Sequence, residues 1–289
     1  MSTEGIQAQQ IHWYPGHMAK TRRLIQDNLK LIDVVVEIID ARIPRSGRNP
    51  SFHDILRTKP RLIVLNKADL ADEAVTAQWI EYYKRQGIGV LPISCSTGWN
   101  VNKIAPMAKE LIREKLQKDQ EKGRNRTLKL MMCGTPNVGK SSLINRLAGK
   151  ASTKTGDRPG VTKGKQWIRL RGDVELLDTP GILPPKFEEE GMAVRLAYTG
   201  AIKDEIINTE LLSFSLLEYL RDYYPAELCA RYKLTDIEDQ PGYAILEMIG
   251  RKRGFVISGG EIDTERAANT VLDEFRSSKI GRITLERPE

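Results

Sequence analysis

Short apolar runs alternate with longer amphipathic stretches over the first two thirds of the chain. The apolar runs are rich in β-branched residues and typical of buried strands; they lie at 34–39, 62–65, 90–93 and 128–133. Helical periodicity occurs near residues 53–58, 72–86 and 101–117. Because strands that alternate with helices form parallel sheets covered on both faces, the pattern predicts an α/β fold.

Two further strands are predicted at 166–171 and 174–177, joined by a turn at Gly172-Asp173. The stretch 117–127 contains no apolar residue, so we expect a surface connection between two halves of the sheet.

The pattern changes after Pro184-Pro185, a pair that interrupts regular structure. Helical periodicity returns at 209–223 and 264–277, and strand alternation is absent between Phe187 and residues 255–257. The sequence therefore predicts an α/β domain over 1–185, with an N-terminal extension, and a smaller α-helical domain over 186–289.

The net charge of the chain changes sign at the same boundary. Residues 1–185 carry 31 Lys and Arg against 18 Asp and Glu, a net charge of +13, whereas residues 186–289 carry 14 against 20, a net charge of −6. The net charge of +7 over the chain suggests a polyanionic partner without naming it.

Composition narrows the class of protein. With 40% hydrophobic and 29% charged residues, the 289-residue chain is typical of globular proteins. Its apolar runs are far shorter than the roughly 20 residues of a membrane span. The first ten residues have neither a secretory nor a transit pattern. We predict a cytoplasmic monomer with reduced cysteines and no integral membrane contact.

A phosphate-binding motif follows the fourth apolar run. The sequence from Gly134 to Ser141, GTPNVGKS, fits GxxxxGK[ST] and sits between a predicted strand and a predicted helix. Its backbone N–H groups can face phosphates, the lysine neutralises β and γ oxygens, and the first serine hydroxyl ligates Mg²⁺. The predicted phosphate-binding residues are Asn137, Val138, Gly139, Lys140, Ser141 and Ser142.

The second predicted strand ends in Asn66-Lys67-Ala68-Asp69, an NKxD motif. A carboxylate at Asp69 can accept from N1–H and the 2-amino group of guanine, donors that adenine lacks, so the motif predicts GTP and GDP as ligands. The third strand leads to Ser94-Cys95-Ser96, where a backbone N–H is placed to meet guanine O6.

Two more elements follow the phosphate motif. Asp178-Thr179-Pro180-Gly181 matches DxxG, which predicts Asp178 near the Mg²⁺ shell, through water, and the Gly181 N–H near the γ-phosphate. Thr162, in a glycine-rich basic stretch, is a candidate Mg²⁺ ligand; the alternative is a solvated loop threonine.

The order of these motifs along the chain is similar to that of a known class of proteins. The base motifs precede the phosphate motif, an order that resembles circularly permuted GTPases. Residues 13–20, WYPGHMAK, and 40–44, DARIP, resemble signatures of the ribosome biogenesis GTPase A family, also called YlqF. The similarity runs from about residue 11 to the C-terminus, including Arg276, Lys279-Ile280-Gly281-Arg282 and Leu285-Glu286.

That resemblance implies a GTP-hydrolysing assembly factor. It would bind rRNA in the precursor of the large (50S) ribosomal subunit, leave on hydrolysis, and have no DNA partner. The second domain would be the RNA-binding one. Two alternatives stay open: a GTP-dependent RNA-binding adaptor with incidental hydrolysis, and a GTPase that acts on tRNA or a translation factor.

Local basic clusters are the candidates for RNA contact, since each phosphate contact needs only local charge. They are Arg251-Lys252-Arg253 and a second group of Arg276, Lys279, Arg282 and Arg287, for which a solvated face is the alternative.

Catalysis depends on an unidentified water-positioning group. Ras-like GTPases place a glutamine after DxxG, but Ile182 occupies that position, so we expect slow intrinsic hydrolysis that the ribosome stimulates. His17 is the candidate, with a capping or RNA-contacting role as the alternative. The predicted catalytic residues are His17, Lys140, Thr162 and Gly181.

Asn137 suggests a second cation. Its side-chain carbonyl can join phosphate oxygens around K⁺, which makes potassium a candidate activator; the alternative is a loop asparagine held by its own backbone.

Overall fold

The fold is built on a six-stranded sheet. The computed structural model describes residues 23–49, 55–56, 58–149, 166–170, 173–179, 181, 183 and 191–289. The strands are β1 Val34–Asp40, β2 Arg61–Asn66, β3 Gly89–Pro92, β4 Leu128–Gly134, β5 Gln166–Leu170 and β6 Val174–Asp178. Their order is β3-β2-β1-β4-β6-β5, and every neighbouring pair is parallel except β5 with β6. The predicted α/β class is confirmed.

Helices cover both faces of this sheet. The described helices of the first two thirds are α1 Glu73–Arg85, α2 Ile104–Glu110, α3 Arg113–Glu121 and α4 Lys140–Ala148, and residues 23–29 are also helical. One face packs Val34, Val36 and Ile38 of β1 against a core that includes Ile104 of α2 and Leu143 of α4. On the other face, separate clusters collect around Trp79 of α1 and around Ile25 of the first helix.

The segment after β3 differs from its prediction. The sequence predicted one helix near 101–117 and a surface connection over 117–127, but the chain forms two helices that break at Leu111 and Ile112, and α3 continues to Glu121. The residues of α3 are polar but belong to types that form helices well, so the absence of apolar residues did not prevent a helix. Gly123, with a φ of +67°, follows its end.

The last third contains five described α-helices: α5 Met192–Tyr198, α6 Thr209–Tyr223, α7 Pro225–Tyr232, α8 Gly242–Arg253 and α9 Thr264–Arg276. Helix α6 packs against the other four. Its N-cap is Asn208, whose side chain accepts from Leu211 N, so a cap exists although the sequence has no capping box. A Cβ at Gly242 would lie 2.1 Å from Phe214 O, so the close approach of α8 to α6 requires glycine there.

The described chain forms two compact units. The first, which we name the GTPase unit for its motifs, contains the described residues from Arg23 to Leu183 together with Thr284–Glu289; the helical unit runs from Gly191 to Ile283. The sequence prediction assigned the last six residues to the second domain, whereas their contacts lie in the first unit. No helix among the described residues is long and apolar enough to cross a membrane.

Candidate guanine nucleotide site

The sequence-predicted motifs meet along one edge of the sheet. Strands β1, β2, β3, β4 and β6 are parallel, so their carboxyl ends lie at the same edge. There β2 ends at Asn66, β4 ends at Gly134 and β6 ends at Asp178. Ligands of open α/β sheets bind outside this edge.

The phosphate loop fills the space between β4 and α4. Gly134 lies beside β1, and a Cβ there would be 2.5 Å from Ile38 O. Gly139 caps α4 with a φ of +95°, and a Cβ there would be 2.4 Å from Asn66 Nδ2. Glycine is therefore required at both ends of the loop, and α4 directs its N-terminal N–H groups toward the loop. Lys140, Ser141 and Ser142 form its first turn.

Asn66 connects this loop to the base motifs. Its Nδ2 donates to Val138 O at 2.7 Å, and its Oδ1 accepts from Cys95 N at 3.0 Å. The side chain is buried, so these two hydrogen bonds replace the ones that its amide would otherwise form with water. A single amide thus joins β2, the phosphate loop and the loop after β3.

The two carboxylate oxygens of Asp69 have different surroundings in the described part of the chain. Ser96 Oγ donates to Asp69 Oδ2 at 3.1 Å, and Ser96 Oγ lies 2.8 Å from Ser94 Oγ. Asp69 Oδ1 is buried and has no hydrogen-bond partner among the described residues. A buried carboxylate oxygen in that state costs free energy unless a donor arrives, and the N1–H and 2-amino groups of guanine are such donors.

The structure shows which hydrogen bonds Ser94 and Cys95 form. Ser94 Oγ accepts from Thr97 N at 3.2 Å, so this serine shapes the loop. The Cys95 N–H donates to Asn66, so a donor to guanine O6 must come from another N–H of the loop. Burial raises the pKa of the Cys95 thiol to about 12, which keeps it protonated at neutral pH.

Arg146 is a residue that sequence reasoning missed. From the last turn of α4, its Nη2 donates to Ser96 O at 2.8 Å. The contact links the phosphate-binding helix to the loop that holds Asp69. An arginine near a helix end carries no short-range sequence signal for such a contact, because its partner lies 50 residues away.

Lys67 is held by a buried ion pair. Its Nζ lies 3.0 Å from Asp40 Oδ2, and Asp40 also pairs with Arg42 at 2.8 Å. Burial opposes ionisation of Asp40, but the adjacent Arg42 and Lys67 cations outweigh burial and hold the pKa of that carboxyl well below its usual range. Asp40 is therefore ionised and fixes the Lys67 side chain.

The DxxG segment lies against the phosphate loop. Asp178 is fully buried and forms an ion pair with Lys140. Thr179 Oγ1 donates to Met132 O at 2.7 Å, which fixes the start of the segment on β4. A Cβ at Gly181 would lie 3.2 Å from Pro136 Cα, so a side chain there would require the segment or the loop to shift by a few tenths of an ångström.

These residues fit a Mg²⁺ ion bound with phosphates. Mg²⁺ prefers oxygen ligands and is usually held by one or two protein groups plus substrate phosphates. The Ser141 hydroxyl, and the Asp178 carboxylate through water, would supply that donor set at the phosphate loop. When bound, the ion would offset negative charge on the phosphates. Thr162 and His17 lie outside the described residues.

The basic residues predicted to contact RNA have mixed surroundings. Arg276 donates to Tyr198 O at 3.0 Å and Ala197 O at 2.9 Å and pairs with Asp204, so it caps α5. Arg253 pairs with Glu274 at 3.1 Å. The other predicted residues are exposed: Arg251, Lys252, Lys279, Arg282 and Arg287. Of the predicted clusters, Arg253 and Arg276 are therefore held by contacts within the helical unit.

The fold and this site define a P-loop GTPase. Residues 129–216 match the family model described as 50S ribosome-binding GTPase. Ribosome biogenesis GTPase A of Bacillus licheniformis is 48% identical over 280 residues, which cover 96% of this chain and 99% of that protein. The chain belongs to the ribosome biogenesis GTPase A family. It hydrolyses GTP and acts in ribosome biogenesis, in a family of enzymes that generally depend on Mg²⁺.

Solved structures agree with this assignment. The GDP-bound structure of TM YlqF has a TM-score of 0.67 at 30% identity and covers 92% of this chain and 99% of that one. GNP-bound YlqF from T. maritima has a TM-score of 0.62 at 30% identity, covering 93% and 99%. The family resemblance inferred from residues 13–20 and 40–44 is confirmed.

We expect Lys140→Ala to abolish tight GTP binding, because it removes the charge opposite the β and γ phosphates. It also removes the Lys140 partner of the buried Asp178 carboxylate, which should lower the free energy of unfolding. Fluorescent-nucleotide titration and urea unfolding measure the two effects. Lys140→Ala/Asp178→Asn should regain stability but not nucleotide binding; retained affinity in either variant would contradict the assignment.

We expect Asp69→Asn to weaken GTP binding by roughly 10–100-fold, because the amide cannot accept from both guanine donors. Binding of the xanthosine nucleotide should improve relative to GTP, because xanthine carries a carbonyl where guanine has its amino group. Competition titration with GTP and XTP measures the ratio. Asp173→Asn, in the exposed β5–β6 turn, is the matched control, and an unchanged GTP-to-XTP ratio in Asp69→Asn would reject the role.

Proposed function

We propose that this GTPase is a cytoplasmic assembly factor that binds rRNA in the precursor of the large (50S) ribosomal subunit and leaves on GTP hydrolysis. Residues 129–216 fit a family model described as ribosome-binding, and the YlqF relatives bind GDP and GNP. We expect this chain to bind both nucleotide states as a monomer, with no DNA partner.

One observation carries the proposal. Asp178 and Gly181 lie against the phosphate loop, and the helical unit starts ten residues after Gly181, at Gly191. A segment ordered by a γ-phosphate changes its contacts when the phosphate leaves. Because this segment runs directly into the helical unit, loss of the phosphate would act on the unit that we expect to bind RNA.

The charge of the helical unit supports local rather than global attraction to RNA. Arg251 and Lys252 follow each other in the last turn of α8, where they are exposed, and Lys279 is exposed beyond α9. Each phosphate contact needs one such cation. No aromatic residue lies between Arg276 and Arg287 in the sequence, so for that group recognition of RNA shape is favoured over splayed bases.

Sedimentation with purified large subunits and their precursors tests the function. We expect co-sedimentation about tenfold tighter with a non-hydrolysable GTP analogue than with GDP, and stronger for precursor particles than for tRNA. Arg251→Ala/Lys252→Ala should weaken it and reduce its salt dependence, while Lys118→Ala, an exposed α3 cation, is the control. Equal binding in both nucleotide states would contradict the proposal. Single-turnover hydrolysis that particles leave unchanged favours the adaptor, and preferential capture of tRNA favours the translation alternative.

His17 is our proposed water-positioning residue, since Ile182 can neither donate nor accept a hydrogen bond. We expect His17→Ala to leave GTP affinity within about threefold of the unmodified chain but to lower particle-stimulated kcat by about 100-fold or more, the pattern of a group used only in the transition state. His53→Ala is the matched control. Survival of stimulated hydrolysis, or loss of particle binding, would reject this role.

Particle-stimulated GTP hydrolysis, measured in matched KCl and NaCl, tests the proposed role of Asn137 in binding potassium. This residue adopts a φ of +56° and is exposed on the phosphate loop. We propose that its side-chain oxygen helps to bind K⁺, with faster hydrolysis in KCl; equal rates would reject potassium activation.

A further inference from the structure

The last six residues of the chain form an ordered segment on the GTPase unit. Leu285 N donates to Arg42 O at 2.8 Å, and the Leu285 side chain is buried. Thr284 Oγ1 accepts from Asp72 N at 3.0 Å, at the N-cap of α1. We call Thr284–Glu289 the tail segment.

Glu286 is the centre of this docking. Its carboxylate accepts from Arg45 N at 2.6 Å and from Ser46 N at 3.0 Å, and Ser46 Oγ donates to it as well. Its backbone carbonyl accepts from Trp79 Nε1 at 2.9 Å. Glu286 and Ser46 are both buried. Hydrogen bonds to a carboxylate are stronger than neutral ones, so the burial of this charge is matched by donors in the loop after β1.

Glu289 makes a weaker contact of the same kind. Its Oε1 lies 2.8 Å from Arg45 Nη1, but its side chain is 87% exposed. An exposed ion pair contributes little. Glu289 is therefore a matched control for Glu286, because the two carboxylates face the same loop at different burial.

The loop after β1, which binds the tail segment, is linked by side-chain contacts to the NKxD motif. Arg42 receives the tail segment through its carbonyl oxygen, and its guanidinium donates to Asp40 through Nε at 3.0 Å and Nη2 at 2.8 Å. Asp40 in turn holds Lys67 of the NKxD motif at 3.0 Å. Arg42 and Asp40 are both buried. A continuous set of packed, charged groups therefore joins the tail segment to the base-binding edge.

We propose that the tail segment is a latch whose docking is thermodynamically coupled to guanine nucleotide binding through Arg42, Asp40 and Lys67. The proposal rests on the guanine site assigned above. Since the tail segment directly follows Ile283, the helical unit is joined to the GTPase unit at both ends of its sequence: through the DxxG segment and through the latch. The DARIP residues and the adjoining Arg45-Ser46 thereby form one side of a contact whose other side is Leu285-Glu286.

Coupling of this kind is reciprocal. If a docked tail segment strengthens GDP binding by some factor, bound GDP must stabilise docking by the same factor. A tail segment that only stabilised the fold would lack this relation. Its release would lower the melting temperature without a matched change in nucleotide affinity.

The test compares Glu286→Gln with Glu289→Gln in the full-length protein. We expect Glu286→Gln to weaken fluorescent GDP binding about fivefold or more, while Glu289→Gln stays within about twofold of the unmodified chain. Thermal unfolding without nucleotide shows whether each variant is folded. A Glu286→Gln affinity within about twofold of that of Glu289→Gln would overturn the coupling.

Hydrogen exchange in the unmodified chain gives the reciprocal measurement and needs no variant. The Leu285 amide reports local release of the tail segment under conditions in which the Leu128 amide, bonded to Asp173 O at the opposite edge of the sheet, does not exchange. We expect saturating GDP to slow Leu285 exchange by the factor found in the affinity measurement. Exchange that GDP leaves unchanged would overturn the latch, whereas failure of the unmodified chain to bind GDP would overturn the guanine site itself.

Discussion

The buried amide of Asn66 is the contact on which the nucleotide site depends. It donates to the phosphate loop at Val138 and accepts from the loop after β3 at Cys95. These segments lie 72 and 29 residues away in sequence, so no local preference brings them together. The Nδ2 donor of Asn66 contacts the part of the site that fits phosphates, and its Oδ1 acceptor contacts the part that fits guanine. This one side chain therefore sets the distance between the two parts.

Parallel strands explain how the motifs can occur in a permuted order. The carboxyl ends of β1, β2, β4 and β6 form one edge whatever the order in which the chain visits them. The permutation instead changes which segment comes after each motif. Here the DxxG segment is followed by the helical unit, and the chain then returns through the tail segment to the loop after β1.

Local motifs were predictable from the sequence, and contacts between distant segments were not. The phosphate loop and NKxD are short, and each requires particular residue types within a few positions, so Lys140 and Asp69 could be assigned directly. Arg146 and Glu286 look like ordinary charged residues because their partners, Ser96 and Ser46, are far away in sequence. The break between α2 and α3 was also missed, because residues 107–117 contain neither a proline nor a glycine that would mark it.

A crystal structure of the full chain with Mg²⁺ and a non-hydrolysable GTP analogue tests the central claim most directly. The claim is that guanine and phosphates occupy one edge of the sheet, spaced by Asn66. We predict that Asp69 Oδ1 accepts from guanine N1–H and that Lys140 Nζ has left Asp178 for the β and γ phosphates, with both Asn66 contacts retained. A base bound away from Asp69, or Lys140 still paired with Asp178 beside bound phosphates, would contradict the account.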